Sequence, residues 1–417
     1  LQGFLNLNLD KWTDEIFEIA NVAALEYSLE SSLDQMDNEL QTLQFVTVEF
    51  NDSKQYILQQ IDDIISTIDD QLVTTQTLLS SPYIKPMKKR ANDKLAFLHV
   101  AHETLDAWVN CQKSWLYLQP IFTGTSIQQK LYKEAMEWST VVNIWSDLMQ
   151  GTHVHPEFLT VMSRDNILPN LKKCNDLLDS ITKGLNAYLE AKRLGFPRFF
   201  FLSNDELISI LSHTKDFDKM QESMQKLFEY VNSIDVTPEF LITHMNDAEG
   251  EKVELLNNIN GDTPEIEDWL NSFEEEMRNT LKENTLKAVE TYNQTAKKQW
   301  FSDYPAQTIL IAMQILWTSQ VTQSLKTAKA NRLNLLQQKY LDLLDQLTDL
   351  IRQPISHLLR QLISSLLINQ VHNRDIINQL IEGNVSDVDD FKWTKQLRYY
   401  VEPGTIIVNS INNSFEY

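Results

Sequence analysis

The chain has 417 residues and a formal charge of −22, from 36 basic and 58 acidic side chains. A field of that sign disfavours nonspecific binding to nucleic acid or to an anionic membrane surface. Only 9 glycines and 11 prolines argue against a loop-rich or all-β fold. Two cysteines, Cys111 and Cys174, exclude a disulfide framework and make a reducing compartment the expectation.

The length allows two or three hydrophobic cores. The chain starts at Leu1 rather than Met and stops at Phe415-Glu416-Tyr417, which is expected of a piece of a longer chain. Residues 45–50 alternate apolar and polar, as a half-buried strand does. Ile57, Ile61, Ile64, Ile65, Ile68 and Leu72 then follow the spacing of one buried helix face, with Asp62, Asp63, Asp69 and Asp70 on a solvated side. Pro82 and Pro86 end that run.

Residues 95–122 form an aromatic-rich helix closed by Pro120 and Gly124. Trp108 and Trp115 share one of its faces, and core is the expected role rather than a ligand box. A second helix carries Trp138 and Trp145 and is expected to end at Gly151. His153 and His155 follow it, two apart, so they share no helix face and do not point to a metal site. Residues 166–194 read as one helix whose inner face holds Leu171, Cys174, Leu178, Ile181, Leu185 and Leu189. On that face Cys174 is a small hydrophobe.

Residues 193–207 follow. Pro197 stops the incoming helix, and Phe199, Phe200 and Phe201 pass as a buried run into a new helix start. Ser203 is the N-cap, Glu206 completes a capping box, and Leu202 with Leu207 has the spacing of a hydrophobic staple. The cap should be worth ~1 kcal/mol. Full burial of Phe200 would make its truncation to alanine cost ~3–5 kcal/mol.

Further on, residues 207–212 and 220–231 are expected as helices, and 245–250 as an exposed turn within a small non-helical insert. Helix returns over 268–288, with Glu274, Glu275 and Glu276 on a solvated face. Residues 300–325 read as one helix, with Asp303 and Pro305 near its first turn, and residues 309–317 are apolar nearly all round. A long leucine-rich helix over 335–367 should break at Pro354. Residues 391–401 pass from helix toward strand, and 402–405 have the signature of a type II turn. A strand over 405–408 completes an expected hairpin, with a domain boundary near 400.

The nine glycines include no pair spaced for a P-loop or a GxGxxG loop. GxSxG, HExxH and CxxC are also missing. No catalytic, cofactor-binding or metal-binding residue is therefore assigned, and a mechanical or docking element is expected. The alternative is a static all-helical tether or scaffold.

Five stretches together resemble one family. They are residues 108–122, residues 196–207, Pro305-Ala306-Gln307 with Trp317-Thr318, Val371-His372-Asn373-Arg374-Asp375, and Gln396-Leu397-Arg398-Tyr399-Tyr400. They resemble the dynein heavy chains, in the family's order, and look most like axonemal inner-arm dyneins of the single-headed type. Gln119, Gly195, Gln370 and Val401 depart from the family pattern.

The resemblance implies the linker domain, an all-α, elongated array of helical bundles forming a rod, with a small β element and a C-terminal β-hairpin. Its expected divisions are residues 1–195, residues 196–400, and residues 401–417 at the start of the first AAA+ module. The implied role is a lever that switches between bent and straight forms as ATP is hydrolysed elsewhere in the chain, driving ciliary microtubule sliding. No cofactor is implied within these residues, since ATP and Mg²⁺ belong to the downstream modules. The implied partners are the AAA+ ring modules, microtubules and dynein accessory chains, with no nucleic acid and no membrane. The implied location is the cytoplasm and the axoneme of a cilium or flagellum. Phe199, Phe200, Phe201, Ser203, Glu206, Trp393, Arg398, Tyr399 and Tyr400 are the candidates for a structural junction or for docking.

Overall fold

The computed structural model describes residues 12–51, 55–123, 125–212, 216–327, 331–403, 405–410 and 413–416. The fold is mainly helical with small antiparallel sheets, and it divides into two compact units, Leu1–Ala191 and Lys192–Tyr417.

The first unit contains α1 (Thr13–Thr42), β1 (Val46–Phe50), β2 (Gln55–Gln59), α2 (Ile61–Leu79), α3 (Lys88–Phe122), α4 (Thr125–Lys130), α5 (Tyr132–Val154), α6 (Phe158–Met162) and most of α7 (Ile167–Gly195). The strand expected at 45–50 is present, but Ile57 belongs to its partner strand rather than to a helix. β1 and β2 pair antiparallel, Val46 opposite Gln59 and Phe50 opposite Gln55. Gln60 adopts φ 54°, which ends the strand and delays the helix to Ile61. Gln112 of α3 completes the strand's hydrogen bonding: Leu58 N donates to its Oε1 at 2.7 Å, and its Nε2 donates to Leu58 O at 2.9 Å. From there the helical period holds, burying Ile64 and Ile68 while Asp62, Asp63, Asp69 and Asp70 stay exposed.

The tryptophan pairs are core. Trp115 stacks on Trp138 at 6.3 Å and Trp145 at 5.5 Å, and Trp108 meets Phe45 at 5.3 Å. Cys111 and Cys174 are free, buried thiols. Helix α5 does not stop at Gly151 but runs to Val154. A Cβ at that position would lie 2.7 Å from Nη1 of Arg164, so the guanidinium would have to shift. Arg164 also donates to Gly151 O at 2.7 Å. The extra turn brings His153 onto the hairpin, stacked on Tyr56 at 4.0 Å and within 2.9 Å of Thr47 Oγ1.

In the second unit a 3-10 turn (Pro197–Phe201) leads into α8 (Asn204–Ser212) and α9 (Phe217–Leu227). Helix α9 stops at Leu227, four residues short of the expected end. The non-helical insert is larger than a turn. Strands β3 (Ser233–Val236), β4 (Leu241–Asn246) and β5 (Lys252–Asn260) form an antiparallel sheet in the order β3-β4-β5. Met245 is buried in β4, and Asp247 N to Glu251 O closes the exposed turn.

Helix α10 (Ile266–Thr291) packs against β5, and this corrects the reading of its acidic run. Glu276 is buried, accepting from Asn257 N at 2.8 Å and from Asn257 Nδ2 at 3.2 Å. Glu274 receives Arg198 and Arg278.

The helix expected over 300–325 is two helices, α11 (Lys297–Asp303) and α12 (Ala306–Lys326). Tyr304 and Pro305 between them are extended, because proline clashes with a helical residue before it. The break at Pro354 is present, between α13 (Arg332–Ile351) and α14 (His357–Glu382). Ser356 restarts the helix, its hydroxyl accepting from Leu359 N at 3.3 Å. Leu347, Leu350, Leu359, Leu362, Ile363 and Leu366 share a core with Trp300 and Ile309.

The chain closes with α15 (Phe391–Thr394), β6 (Arg398–Glu402), β7 (Thr405–Ser410) and β8 (Asn413–Glu416). The expected hairpin is β6–β7, to which β8 adds a third strand. The turn expected over 402–405 centres on Gly404, which lies outside the described residues. Among the described residues no helix is long and apolar enough to cross a membrane.

Candidate functional site

The aromatic turn is built from its proline outward. Pro197 cannot extend α7, so Phe196 is extended at φ −141° and ψ 97°. A 3-10 helix has three residues per turn, so side chains at i and i+3 share a side. Phe196, Phe199 and Leu202 keep that period and are all buried. Phe196 meets Phe199 edge-on at 5.1 Å and Phe228 at 6.1 Å. Phe200 and Phe201 fall off the period and are 57% and 68% exposed. The expected passage of three phenylalanines through a core is thus corrected to one, Phe199. The signal for this was already in the sequence, as the three-residue spacing of Phe196, Phe199 and Leu202.

Around these anchors the turn is fixed by polar contacts. Arg198 lies 4.8 Å over the Phe228 ring, donates to Leu227 O at 2.9 Å, and pairs with both oxygens of Glu274 at 3.2 and 3.3 Å. Arg193 donates to Asn204 Oδ1 at 2.8 Å and to Leu202 O at 3.3 Å, its guanidinium 5.8 Å from the Phe200 ring. Asn271 donates to Gly195 O at 3.1 Å, capping the end of α7.

The capping box is formed. Ser203 N donates to Glu206 Oε2 at 2.8 Å, and Glu206 N donates to Ser203 Oγ at 3.3 Å. Leu202 and Leu207 are both buried, as a staple requires. Ser203→Ala will lower the stability of this unit by ~1 kcal/mol, read as a shift in its denaturation midpoint. The Lys226 ammonium, and then the Ser203 amide and hydroxyl, hold the Glu206 carboxyl down to about 2. A carboxylate depressed in the folded state stabilises above its unfolded pKa, and the gain is lost as pH falls through the folded pKa. The gap in stability between wild type and Glu206→Gln will therefore be present at neutral pH and close as pH drops from 4.5 toward 2.

The remaining candidates lie elsewhere in the unit. Trp393 is fully buried and packs edge-on against Trp317 at 5.3 Å. Tyr399 N donates to Thr318 Oγ1 at 3.0 Å, and burial pushes the Tyr399 phenol up. Arg398 donates to Thr394 O at 3.2 Å and to the Tyr400 hydroxyl at 3.5 Å. These residues join the terminal sheet to α12, whereas the aromatic turn packs against α9 and α10. The two sets form two places rather than one site.

Sequence reasoning missed a groove of about 1120 Å³ between the β4–β5 turn and α10, because the sheet was not anticipated. Met245, Met277 and Leu281 line it. Glu251, also in its wall, accepts from Ala306 N at 2.8 Å, and burial raises its carboxyl pKa. No cluster of three or more His, Cys, Asp or Glu suited to a metal occurs among the described residues. The arrangement offers anchoring contacts and exposed surface.

The sequence model of the dynein heavy chain, N-terminal region 2, matches residues 1–288. Dynein axonemal heavy chain 1 of Homo sapiens is 37% identical over 416 residues, covering 99% of this chain and 10% of its own length. Dynein axonemal heavy chain 12 of Rattus norvegicus is 36% identical over 425 residues, covering 100% of this chain and 14% of its own. Dynein axonemal heavy chain 3 of Homo sapiens is 35% identical over 402 residues, covering 96% and 10%. The chain thus spans a small part of the relatives it matches. With the region model covering more than half of its residues, the chain belongs to the dynein heavy-chain family.

Proposed function

We propose that this chain is the linker of an axonemal dynein heavy chain, a lever that switches between bent and straight forms against a ring of AAA+ modules in the same polypeptide. The observation that carries this reading is similarity over nearly the whole chain to heavy chains named as axonemal dyneins. ATP and Mg²⁺ would act in the downstream modules, since these residues contain no P-loop. Microtubules and accessory chains would engage the intact motor, in the axoneme of a cilium or flagellum.

The helices suit such a role. α3 is 35 residues long, α1 is 30 and α7 is 29, and a lever must carry force without buckling. A lever also needs two dockings whose free energies change differently with nucleotide state. The test is a fluorescence distance between a probe ahead of Leu1 and a probe on the ring, in the full heavy chain. The distance should differ between apo, ATP and ADP-vanadate states. One distance in all three states would reject the lever and favour a static tether.

A further inference from the structure

Lys297 opens α11 in an unusual setting for a lysine. The turn after α10 folds back on itself, with Gln294 N and Thr295 N donating to Thr291 O at 2.9 and 3.1 Å. That places the Lys297 ammonium over the face of Tyr292, 3.0 Å from the ring centre, where it also donates to Tyr292 O at 3.1 Å. The ring is held in place by Trp300, which meets it edge-on at 5.2 Å and donates to Ala288 O at 3.0 Å. The charge that bears on Lys297 is that of Lys339 in α13. One turn beyond Lys339, Leu343 packs against the core that contains Tyr292 and Trp300. Neither lysine pairs with a carboxylate among the described residues. The phenols that complete the surroundings, Tyr292 and Tyr340, are kept protonated by burial. A half-buried ammonium with a like charge beside it and no counter-ion gives up its proton readily. Burial, and then Lys339, bring Lys297 down to about 8.

We propose that Lys297 is a carbon dioxide acceptor, its ε-amine forming a reversible carbamate whose carboxylate pairs with the Lys339 ammonium. The lone pair of the neutral amine attacks the carbon of CO₂, the N–C bond forms, and one C=O π pair moves to oxygen. A proton leaves Nζ for solvent, so amine and CO₂ give a carbamate anion and H⁺. The step needs no oxidant, nucleotide or enzyme. The nitrogen keeps an N–H that can still donate to Tyr292 O. Two cations that repel become an ion pair between α11 and α13, and no carboxylate stands by to oppose the new anion. Near neutral pH an amine of pKa about 8 is roughly one-quarter neutral, against on the order of one part in a thousand for an ordinary lysine. Lys298, next in the same helix, is exposed and serves as the internal comparison. The site stands whether or not the chain swings as a lever.

The experiment equilibrates the full heavy chain with carbon-13 bicarbonate near neutral pH and traps carbamates as ethyl esters with triethyloxonium. Mass spectrometry of the peptides then locates the heavy carbon. The expected result is label at Lys297 that exceeds label at Lys298 by about tenfold or more. Equal label at the two lysines, or none at Lys297, would overturn the proposal. Lys339→Met should lower the Lys297 label, because it removes both the charge that disfavours the ammonium and the partner of the carbamate. Lys339 is exposed, so this change leaves the core untouched. Undiminished label in K339M would also overturn the proposal. Lys297→Arg keeps a cation over the ring but has no amine to carboxylate, so label persisting at position 297 would reject the assignment.

Discussion

Phe199→Ala will destabilise the second unit by about 3–5 kcal/mol, whereas Phe200→Ala next to it will change stability by less than about 0.5 kcal/mol. Phe199 is fully buried, edge-on against Phe196 within the cluster that includes Phe228 and Phe273. Truncation removes its transfer free energy and leaves a cavity that a turn fixed by Pro197 and Arg198 cannot collapse to fill. Loss of the aromatic pair with Phe196 adds to this. Phe200 is 57% exposed, so its removal leaves no cavity. The check is urea unfolding of the 417-residue chain, with hydrogen exchange of α8 and α9 amides reporting on this unit alone. Equal effects from the two substitutions would show that the three-residue period does not decide which phenylalanine is structural.

The two neighbours also show what could be read from the residues alone. Signals that act over three or four positions were legible: the Ser203–Glu206 box, the stop at Pro197, the break at Pro354, and the buried faces of α2 and α7. Signals completed by distant chain were not. Ile57 fits a helical stripe by spacing, but pairing with β1 recruits it into a strand, and strand preference depends on such context. Glu276 looks solvated until β5 covers it. Gly151 resembles a helix stop because its partner, the guanidinium of Arg164, is thirteen residues away. The family likeness made the aromatic stretch conspicuous, yet only the geometry separates its anchor from its exposed pair.

Lys192→Met is the second substitution with a large expected effect, about 3 kcal/mol, because it strands a largely covered carboxylate with one buried oxygen. The Lys192 side chain is 10% exposed and reaches from α7 to the start of α10, donating to Glu265 Oε2 at 2.5 Å and Glu267 Oε1 at 2.7 Å. The two acids are not equivalent. Glu265 is 40% exposed, so water can replace the lysine there. Glu267 is 12% exposed, and its Oε2 is buried without a hydrogen-bond partner. With the cation gone, Glu267 would be a largely covered charge that has lost its ammonium partner, and most of the cost should come from it. Replacing both members by apolar groups of similar volume removes that penalty. The double substitution K192M/E267L should therefore be far more stable than K192M and approach wild type. Urea midpoints for wild type, K192M, E267L and the pair complete a double-mutant cycle. A pair as destabilised as the sum of its singles would mean that the two side chains act independently. In that case Asn271 and the Arg193 contacts, not the ion pair, would hold the end of α7 to its unit.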